Sequence, residues 1–228
     1  DTLMIHQKHS LYLSIVDSYV RGMTTYLLAA IAGLLTGAGL IVAVGPQNIF
    51  VLQQGVRRAH VNPVIAVCAL SDVVLIVAGV AGLGALVSAH PTVVTVAKIA
   101  GGTYVVILGL LAARRCLRSS EAITANPDEV RTASRWVAIG TALALTWLNP
   151  HVYLDTVLTM GAIANSHGNG KWAFAIGASM ASVVWFTLIG RGGRRLAPVF
   201  ARPRAWRVLD GVVAVIMVGM GAALLVSA

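Results

Sequence analysis

The stretch LIVAVGPQNIFVLQQGVRR, residues 40–58, interrupts a long apolar segment with a polar, proline-containing knot. Proline lacks a backbone N–H and clashes with the carbonyl four residues earlier, so it breaks the helix that the flanking apolar residues favour. A second knot lies in ALTWLNPHVYLDT, residues 144–156. In hydrocarbon, the backbone groups freed at such a break need protein or water as partners. Paired breaks at membrane depth are therefore typical of the place where a transporter holds its cargo.

The composition is that of a membrane protein. Of the 228 residues, 57% are hydrophobic and 11% are charged, and the mean hydropathy is +0.82. Soluble domains have about 25% charged residues. Several apolar runs reach the roughly 20 residues that an α-helix needs to cross a bilayer core. We therefore expect an all-α, polytopic membrane protein.

The apolar runs predict six membrane spans. The first contains Gly45-Pro46-Gln47-Asn48, the first knot, and the fourth contains Asn149-Pro150-His151, the second knot. A re-entrant form of either span leaves a five-span alternative open. The six predicted spans lie near 25–52, 62–88, 93–113, 136–163, 172–190 and 208–227.

The net charge of +9 has a topological explanation. The arginines form blocks between apolar segments and are not interleaved with aromatic residues, so nucleic acid is not an expected partner. With six spans, thirteen arginines share one side, and only Lys8, Arg21 and Lys171 lie on the other. The positive-inside rule then places the arginine-rich loops in the cytoplasm and both termini outside. The thirteen are Arg57, Arg58, Arg114, Arg115, Arg118, Arg131, Arg135, Arg191, Arg194, Arg195, Arg202, Arg204 and Arg207.

The domain organisation follows from polarity along the chain. Residues 1–22 are more polar than the rest, and we interpret them as an N-terminal extension; the sequence leaves open whether it is native. Residues 23–228 are then a single transmembrane domain. Its halves, about 23–113 and 136–228, are joined by the linker 114–135, which we expect to be cytoplasmic.

The two halves resemble each other weakly. At an offset of 110 residues, Val73-Val74 falls on Val183-Val184 and Gly109 on Gly219, while an offset of 103 brings the knots together within a residue or two. Three spans per half is an odd number, so the second half must cross the bilayer in the opposite sense. The sequence therefore predicts two inverted three-helix repeats in which helices one and four are broken.

Two acidic residues lie well inside predicted spans, Asp72 in the second and Asp155 in the fourth. A charged side chain at the bilayer centre costs at least ~2.5 kcal/mol on insertion scales, so it normally faces a cavity or a partner. Substrate binding or proton coupling is one interpretation. The other is an ion pair with Lys98 or with an arginine at a helix end.

Polar side chains beside the breaks complete the candidate site. The amides of Gln47, Asn48 and Asn149 cap the broken backbone, contact substrate, or do both. His151 precedes Asp155 by four residues, so the two share a face on a continuing helix. That spacing permits a proton relay, and a structural hydrogen bond is the alternative. The helix-breaking residues are Gly45, Pro46 and Pro150.

Neither a metal nor a cofactor is expected. The other histidines lie in predicted loops or tails, and Cys68 and Cys116 have neither a disulfide framework nor metal-ligand spacing. No catalytic residue is predicted, although a dyad of His151 and Ser179 would be the enzyme alternative. A passive channel is a further alternative for a helical bundle with a polar interior.

The sequence resembles the lysine exporter (LysE) family, and most of all its basic amino-acid branch. The matching stretches are GPQNIFVLQQGVRR at 45–58, SDVVLI at 71–76 and TWLNPHVYLDT at 146–156, and the likeness runs from about residue 24 to the C-terminus. The resemblance implies a multi-pass exporter in the bacterial inner membrane that moves L-lysine or L-arginine outward in exchange for protons. Neutral amino acids or another small cation remain alternative cargoes, and the glycine-rich faces are compatible with a homodimer.

A basic amino acid suits the predicted site chemically. It carries an α-carboxylate, an α-ammonium group and a second cation. The N-terminus of a broken helix offers N–H groups and a positive dipole end to the carboxylate. Asp72 and Asp155 would then hold the cationic groups, and protonation of one of them from the outside would release the cargo.

Overall fold

The computed structural model describes residues 2–42, 45–83, 89–117, 134–200 and 203–228. These ranges are almost entirely helical, and no strand occurs among them. Most of the predicted linker 114–135 lies outside them. The described helices are α1 (Thr2–Ile41), α2 (Pro46–Arg57), α3 (Val61–Ala78, continued by the π-helical turn Gly79–Leu83), α4 (Pro91–Leu117), α5 (Arg135–Trp147), α6 (Pro150–Val152, π-helical Tyr153–Met160, Gly161–Ser166), α7 (Lys171–Phe200) and α8 (Pro203–Val226).

Five of the described helices contain an apolar segment long enough to cross a membrane. The predicted fourth span is divided, because α5 ends at Trp147 and α6 begins at Pro150, so neither part reaches the required length. Large apolar side chains such as Leu28 and Leu35 are exposed, as expected for surfaces that face lipid. The prediction of an all-helical, polytopic membrane protein is confirmed. The five segments are Val16–Ile41, Val61–Leu83, Val94–Arg114, Gly168–Arg195 and Arg207–Val226.

Both knots are breaks between helices. At the first, α1 ends at Ile41, and α2 begins with Pro46 after Gly45 in an extended conformation (φ −117°, ψ 176°). Proline is well suited to the first helical position, because it has no N–H to satisfy there and its φ is already helical. At the second, Pro150 plays the same part at the start of α6.

Contacts between named residues fix the direction of each segment. Later residues of α1 and α2 contact later residues of α7, so these helices run parallel to α7. In the same way, α3 runs parallel to α5 and α6. Several of the contacts are made by glycines, at which a Cβ atom would overlap the facing backbone. The contacting pairs are Gly33 with Phe174, Gly37 with Ala178, Gly55 with Gly190, Ser71 with Trp147, and Gly79 with Thr156.

Other pairs run antiparallel, because the residue numbers of one helix rise while those of its partner fall. This holds for α3 against α7 and for α4 against α8. The contacting pairs are Asp72 with Ser182, Ile65 with Gly190, Gly102 with Gly221, and Cys116 with Gly211.

The two sets of contacts give an alternating course. Taking α1 with α2 and α5 with α6, the described helices form six segments, each opposite in direction to the one before. Segment one therefore runs opposite to segment four, segment two opposite to segment five, and segment three opposite to segment six. Packing between the halves is also reciprocal: α1 of the first half packs against α7 of the second, and α5 of the second half packs against α3 of the first. These relations agree with the predicted pair of inverted repeats.

The basic residues are separated along the bundle. Because Gly55 contacts Gly190 and Cys116 contacts Gly211, the ends of α2, α4 and α7 and the start of α8 gather at one end. We call it the arginine-rich end. At the opposite end, Lys98 Nζ donates a hydrogen bond of 2.7 Å to the carbonyl oxygen of Ser227. The predicted grouping of the described arginines is therefore present in the fold.

Candidate substrate-binding site

A cavity lies where the two knots meet. The empty space between its lining residues is about 720 Å³, including the part that is open to the surroundings. All six polar residues predicted from the sequence line it, together with Gly45 and Pro46. The six are Gln47, Asn48, Asp72, Asn149, His151 and Asp155.

The two breaks lie at similar depth. Measured from the arginine-rich end, α2 has 12 residues and α5 has 13, so the breaks lie about 18 and 20 Å from that end at 1.5 Å per residue. A hydrocarbon core is about 30 Å thick. From the breaks, α2 runs toward the arginine-rich end and α6 runs away from it. The N-termini of both helices therefore begin at the cavity.

Asn48 holds the first knot together. Its Nδ2 donates to the carbonyl oxygen of Ile41 at the end of α1 (3.0 Å), and its Oδ1 accepts from Trp185 Nε1 of α7 (3.4 Å). The side chain thus pairs a carbonyl that the helix end leaves open and ties the break to a neighbouring helix. Asn48 therefore stabilises the break between α1 and α2 and also lines the cavity.

Gln47 differs from Asn48 in having an open donor. The residue is 8% exposed, yet its Nε2 has no hydrogen-bond partner among the described residues. It lies beside the thiol of Cys68, which is at best a weak partner. Gly45, the N-cap residue of α2, makes no side-chain cap. The first knot therefore contributes one buried amide donor to the residues that line the cavity.

The second knot is closed by its own side chains. Asn149 is 5% exposed, and its Oδ1 accepts from the backbone N–H of His151 at 3.1 Å, as an N-cap residue does. The hydroxyl of Tyr153 donates to the carbonyl oxygen of Trp147 at the end of α5 (2.9 Å). The backbone on both sides of this break is thus satisfied locally.

Asp72 lies in the interior between α3 and α7. It is 6% exposed, and its Oδ2 accepts a hydrogen bond of 2.7 Å from the hydroxyl of Ser182. The alternative ion pair with Lys98 is not formed, because Lys98 binds at the far end of the bundle. A buried carboxylate that lines a polar cavity is suited to binding a cation or a proton.

Asp155 and His151 form the second ionisable group of the site. His151 Nε2 lies 3.6 Å from Asp155 Oδ2, and their side chains are 20% and 34% exposed. This distance exceeds a hydrogen bond, so the attraction depends on protonation of the imidazole. The Nδ1 atom of His151 has no partner among the described residues. The pair lies where α6 turns from α-helical to π-helical, a local widening that is frequent at functional sites.

Sequence reasoning missed Ser182 and the apolar wall. Ser182 lies 110 residues after Asp72, the same offset that aligned the two halves, so that alignment contained the signal. Val105, Met217 and Met220 also line the cavity. These side chains come from α4 and α8, and their apolar character did not distinguish them in the sequence from residues that face lipid.

The enzyme alternative receives no geometric support. Ser179 lines an apolar groove with Val183 and Val184 that is separate from the cavity containing His151. Within the described part of the chain, no three histidine, cysteine or acidic side chains are grouped as a metal site would need. The polar side chains that line the cavity are therefore amides, two carboxylates, one imidazole and the hydroxyl of Thr156.

A helical membrane protein whose broken helices enclose a cavity with carboxylates and amides among its lining residues has the architecture of a small-molecule transporter. Its sequence places it more narrowly. Residues 38–228 match the family model described as LysE type translocator. The chain belongs to this family of transport proteins.

Named relatives agree with the family match. "Putative amino-acid transporter Rv0488" of Mycobacterium tuberculosis is 46% identical over 82% of this chain and 92% of its own length. "Lysine exporter LysE" of Corynebacterium diphtheriae is 38% identical over 86% and 98%. "Arginine exporter protein ArgO" of Pectobacterium carotovorum is 40% identical over 82% and 92%. No solved structure matches this chain.

Proposed function

We propose that this protein exports basic L-amino acids, L-lysine or L-arginine or both, across the bacterial inner membrane in exchange for protons. The observation that carries the proposal is the single cavity in which two carboxylates from different segments, Asp72 and Asp155, meet the two knots. The similarity to proteins named as lysine and arginine exporters supports it.

The cavity suits a cargo with cationic ends and an apolar middle. Two carboxylates in one cavity favour a cargo with more than one positive group. A cargo with a single positive group would leave the negative charge of one carboxylate uncompensated. Met217 and Met220 provide flexible apolar surface for the methylenes of a long side chain. A neutral amino acid would leave one carboxylate without a partner.

Proton exchange is energetically sensible for such a cargo. Moving one positive charge outward against an inside-negative potential costs about 2.3 kcal/mol per 100 mV. An inward proton offsets that cost. Asp72 and Asp155 are the proposed partners of the cationic groups of the cargo. Protonation of Asp155, which is partly open to the cavity and lies beside His151, is the proposed step that releases the cargo. Rocking of the two halves about the cavity would give alternating access.

The orientation in the membrane follows from charge. The positive-inside rule assigns the arginine-rich end to the cytoplasm and both termini to the outside. Labelling of single cysteines introduced at Arg58 and at Ser227 with an impermeant maleimide in intact cells tests this. Labelling at position 58 and none at 227 would reverse the assignment.

The function is tested with purified protein in proteoliposomes. Labelled lysine and arginine should accumulate against their gradients when a pH gradient is imposed, and the rate should saturate and show counterflow, which a passive channel lacks. A panel that includes neutral amino acids and small inorganic cations identifies the preferred cargo. Unchanged transport and coupling in both Asp72→Asn and Asp155→Asn would exclude the proposed site.

A further inference from the structure

We propose that the first knot is the subsite for the α-carboxylate of the cargo, with Gln47 Nε2 as its donor at the positive N-terminal end of α2. The cationic groups then lie toward Asp72 and Asp155. This orientation rests on the proposed function and deepens it, since a cavity lined by both knots is compatible with either end of the cargo at either knot.

The start of α2 is built to attract an anion. The helix is 12 residues long, so its N-terminus carries the positive end of a substantial dipole. No side chain caps it, and Gly45, directly before it, lines the cavity. A Cβ atom on Gly45 would meet no atom of the described residues within 4 Å. A ligand can therefore approach the first-turn backbone closely.

Gln47 supplies an independent indication of a ligand. It is 8% exposed, lines the cavity and leaves Nε2 without a hydrogen-bond partner among the described residues. Buried amide donors are almost always paired in folded proteins, because an unpaired one loses its hydration without compensation. An N–H donor beside a helix N-terminus is complemented by an anion and not by an ammonium group.

The other amides of the site are already used. Asn48 pairs with Ile41 and Trp185, and Asn149 caps the helix that starts at the second knot. The second knot also has Asp155 within its first two turns, which repels a carboxylate. Of the two helix N-termini that begin at the cavity, the first is thus the one that fits the anionic end of an amino acid.

Decarboxylated cargo tests the assignment. Cadaverine and agmatine are lysine and arginine without the α-carboxylate, so the wild-type protein should prefer each amino acid to its amine by about tenfold or more, as measured by inhibition of labelled-lysine transport. Gln47→Glu keeps the shape of the side chain but places a negative charge at the subsite. This variant should weaken the inhibition by lysine at least about tenfold. Inhibition by cadaverine should stay unchanged or become stronger, so the preference for the amino acid is lost or inverted.

Matched variants separate recognition from folding. Gln53→Glu makes the same change on the same helix at a half-buried residue that does not line the cavity, and it should keep the wild-type preference. Gln47→Met is neutral and similar in length but cannot donate. If Gln47→Glu does not fold, Gln47→Met should still weaken lysine and spare cadaverine. An equal loss for both ligands would mean that Gln47 has only a structural role.

Failure of this subsite is distinguishable from failure of the proposed function. Equal inhibition by lysine and cadaverine in the wild-type protein overturns the carboxylate subsite while leaving export of basic compounds intact. Absence of lysine and arginine transport overturns the proposed cargo. In that case, inhibition is compared between the amino acid that the panel identifies and its own decarboxylated amine. The carboxylate subsite then requires that Gln47→Glu lose the preference for that amino acid over its amine.

Discussion

The first and second knots stand at corresponding places in the two halves, but they satisfy their backbones in different ways. At the first, Asn48 reaches back to the preceding helix, and the start of the following helix has no side-chain cap. At the second, Asn149 caps the following helix itself, and an acidic residue, Asp155, comes soon after. The first break thus brings the amide donor of Gln47 to the cavity, and the second brings the carboxylate acceptor of Asp155.

This difference shows how a repeated feature can bind an asymmetric ligand. Two identical breaks related by a two-fold axis would present the same chemistry twice. A zwitterionic amino acid has unlike ends, so a site for it needs a donor side and an acceptor side. The divergence between the knots supplies both without changing the backbone plan.

The largest effect is expected from removing the acid of the second knot. Asp155→Asn deletes the charge at the acceptor side. Loss of one partner of a charge pair that becomes buried when the cargo binds costs about 3 kcal/mol, or about 100-fold in the apparent affinity for lysine. Initial rates in proteoliposomes over a range of lysine concentrations measure it. Asp17→Asn is the control, because Asp17 is exposed on α1 and pairs with Arg21 away from the cavity. Similar losses in both variants would contradict the role of the second knot.

The two asparagines should differ in their contribution to stability. Asn48→Ala strands the carbonyl of Ile41 and the indole N–H of Trp185, and a buried polar group left unpaired costs about 1–3 kcal/mol. Asn149→Ala removes one N-cap bond, which is worth about 1 kcal/mol. Thermal unfolding in one detergent compares them. A lower melting temperature for Asn149→Ala than for Asn48→Ala would refute the distinction between the knots.

A moderate effect is expected at the contact between the halves. Ser182→Ala removes the hydroxyl that donates to Asp72. Loss of such a hydrogen bond costs about 1 kcal/mol and should lower the apparent affinity for lysine about fivefold. Ser182→Thr keeps the hydroxyl and should restore most of the affinity. Ser179→Ala, outside the cavity, is the matched control and should transport normally. A larger defect in Ser179→Ala would place the site elsewhere.

The smallest effect is expected at Lys98. Because its ammonium group binds the carbonyl oxygen of Ser227 at the end of the bundle, Lys98→Met should change lysine transport by no more than about twofold. The same transport assay measures it. A loss comparable to that of Asp155→Asn would show that Lys98 takes part in the site after all, as the ion-pair interpretation of the sequence held.

Much of the fold was predictable because its signals are local. Hydrophobic runs of membrane length and prolines beside amides act on the residues next to them, so the helical class and both breaks could be found without a structure. The division of the fourth span into α5 and α6 was less clear. A run of apolar residues does not show where a helix ends when the break itself is short.

The site was only partly predictable. All six polar residues predicted from the sequence line the cavity, because polar groups in apolar segments are rare enough to identify one by one. Ser182 escaped notice because serine is unremarkable in a membrane helix until its partner is known. The methionines of α8 escaped because apolar residues in a span look alike whether they face lipid or cargo.

The membrane class, the two breaks and the candidate carboxylates could be predicted from the amino-acid sequence, because hydrophobicity and proline geometry depend on neighbouring residues. The use of the polar groups could not be predicted, because it depends on contacts between distant helices. The tertiary structure pairs Asp72 with a hydroxyl 110 residues away, closes the second knot and leaves the Gln47 amide open. Such choices depend on which helices meet and at what depth, and this is fixed by packing across the whole bundle.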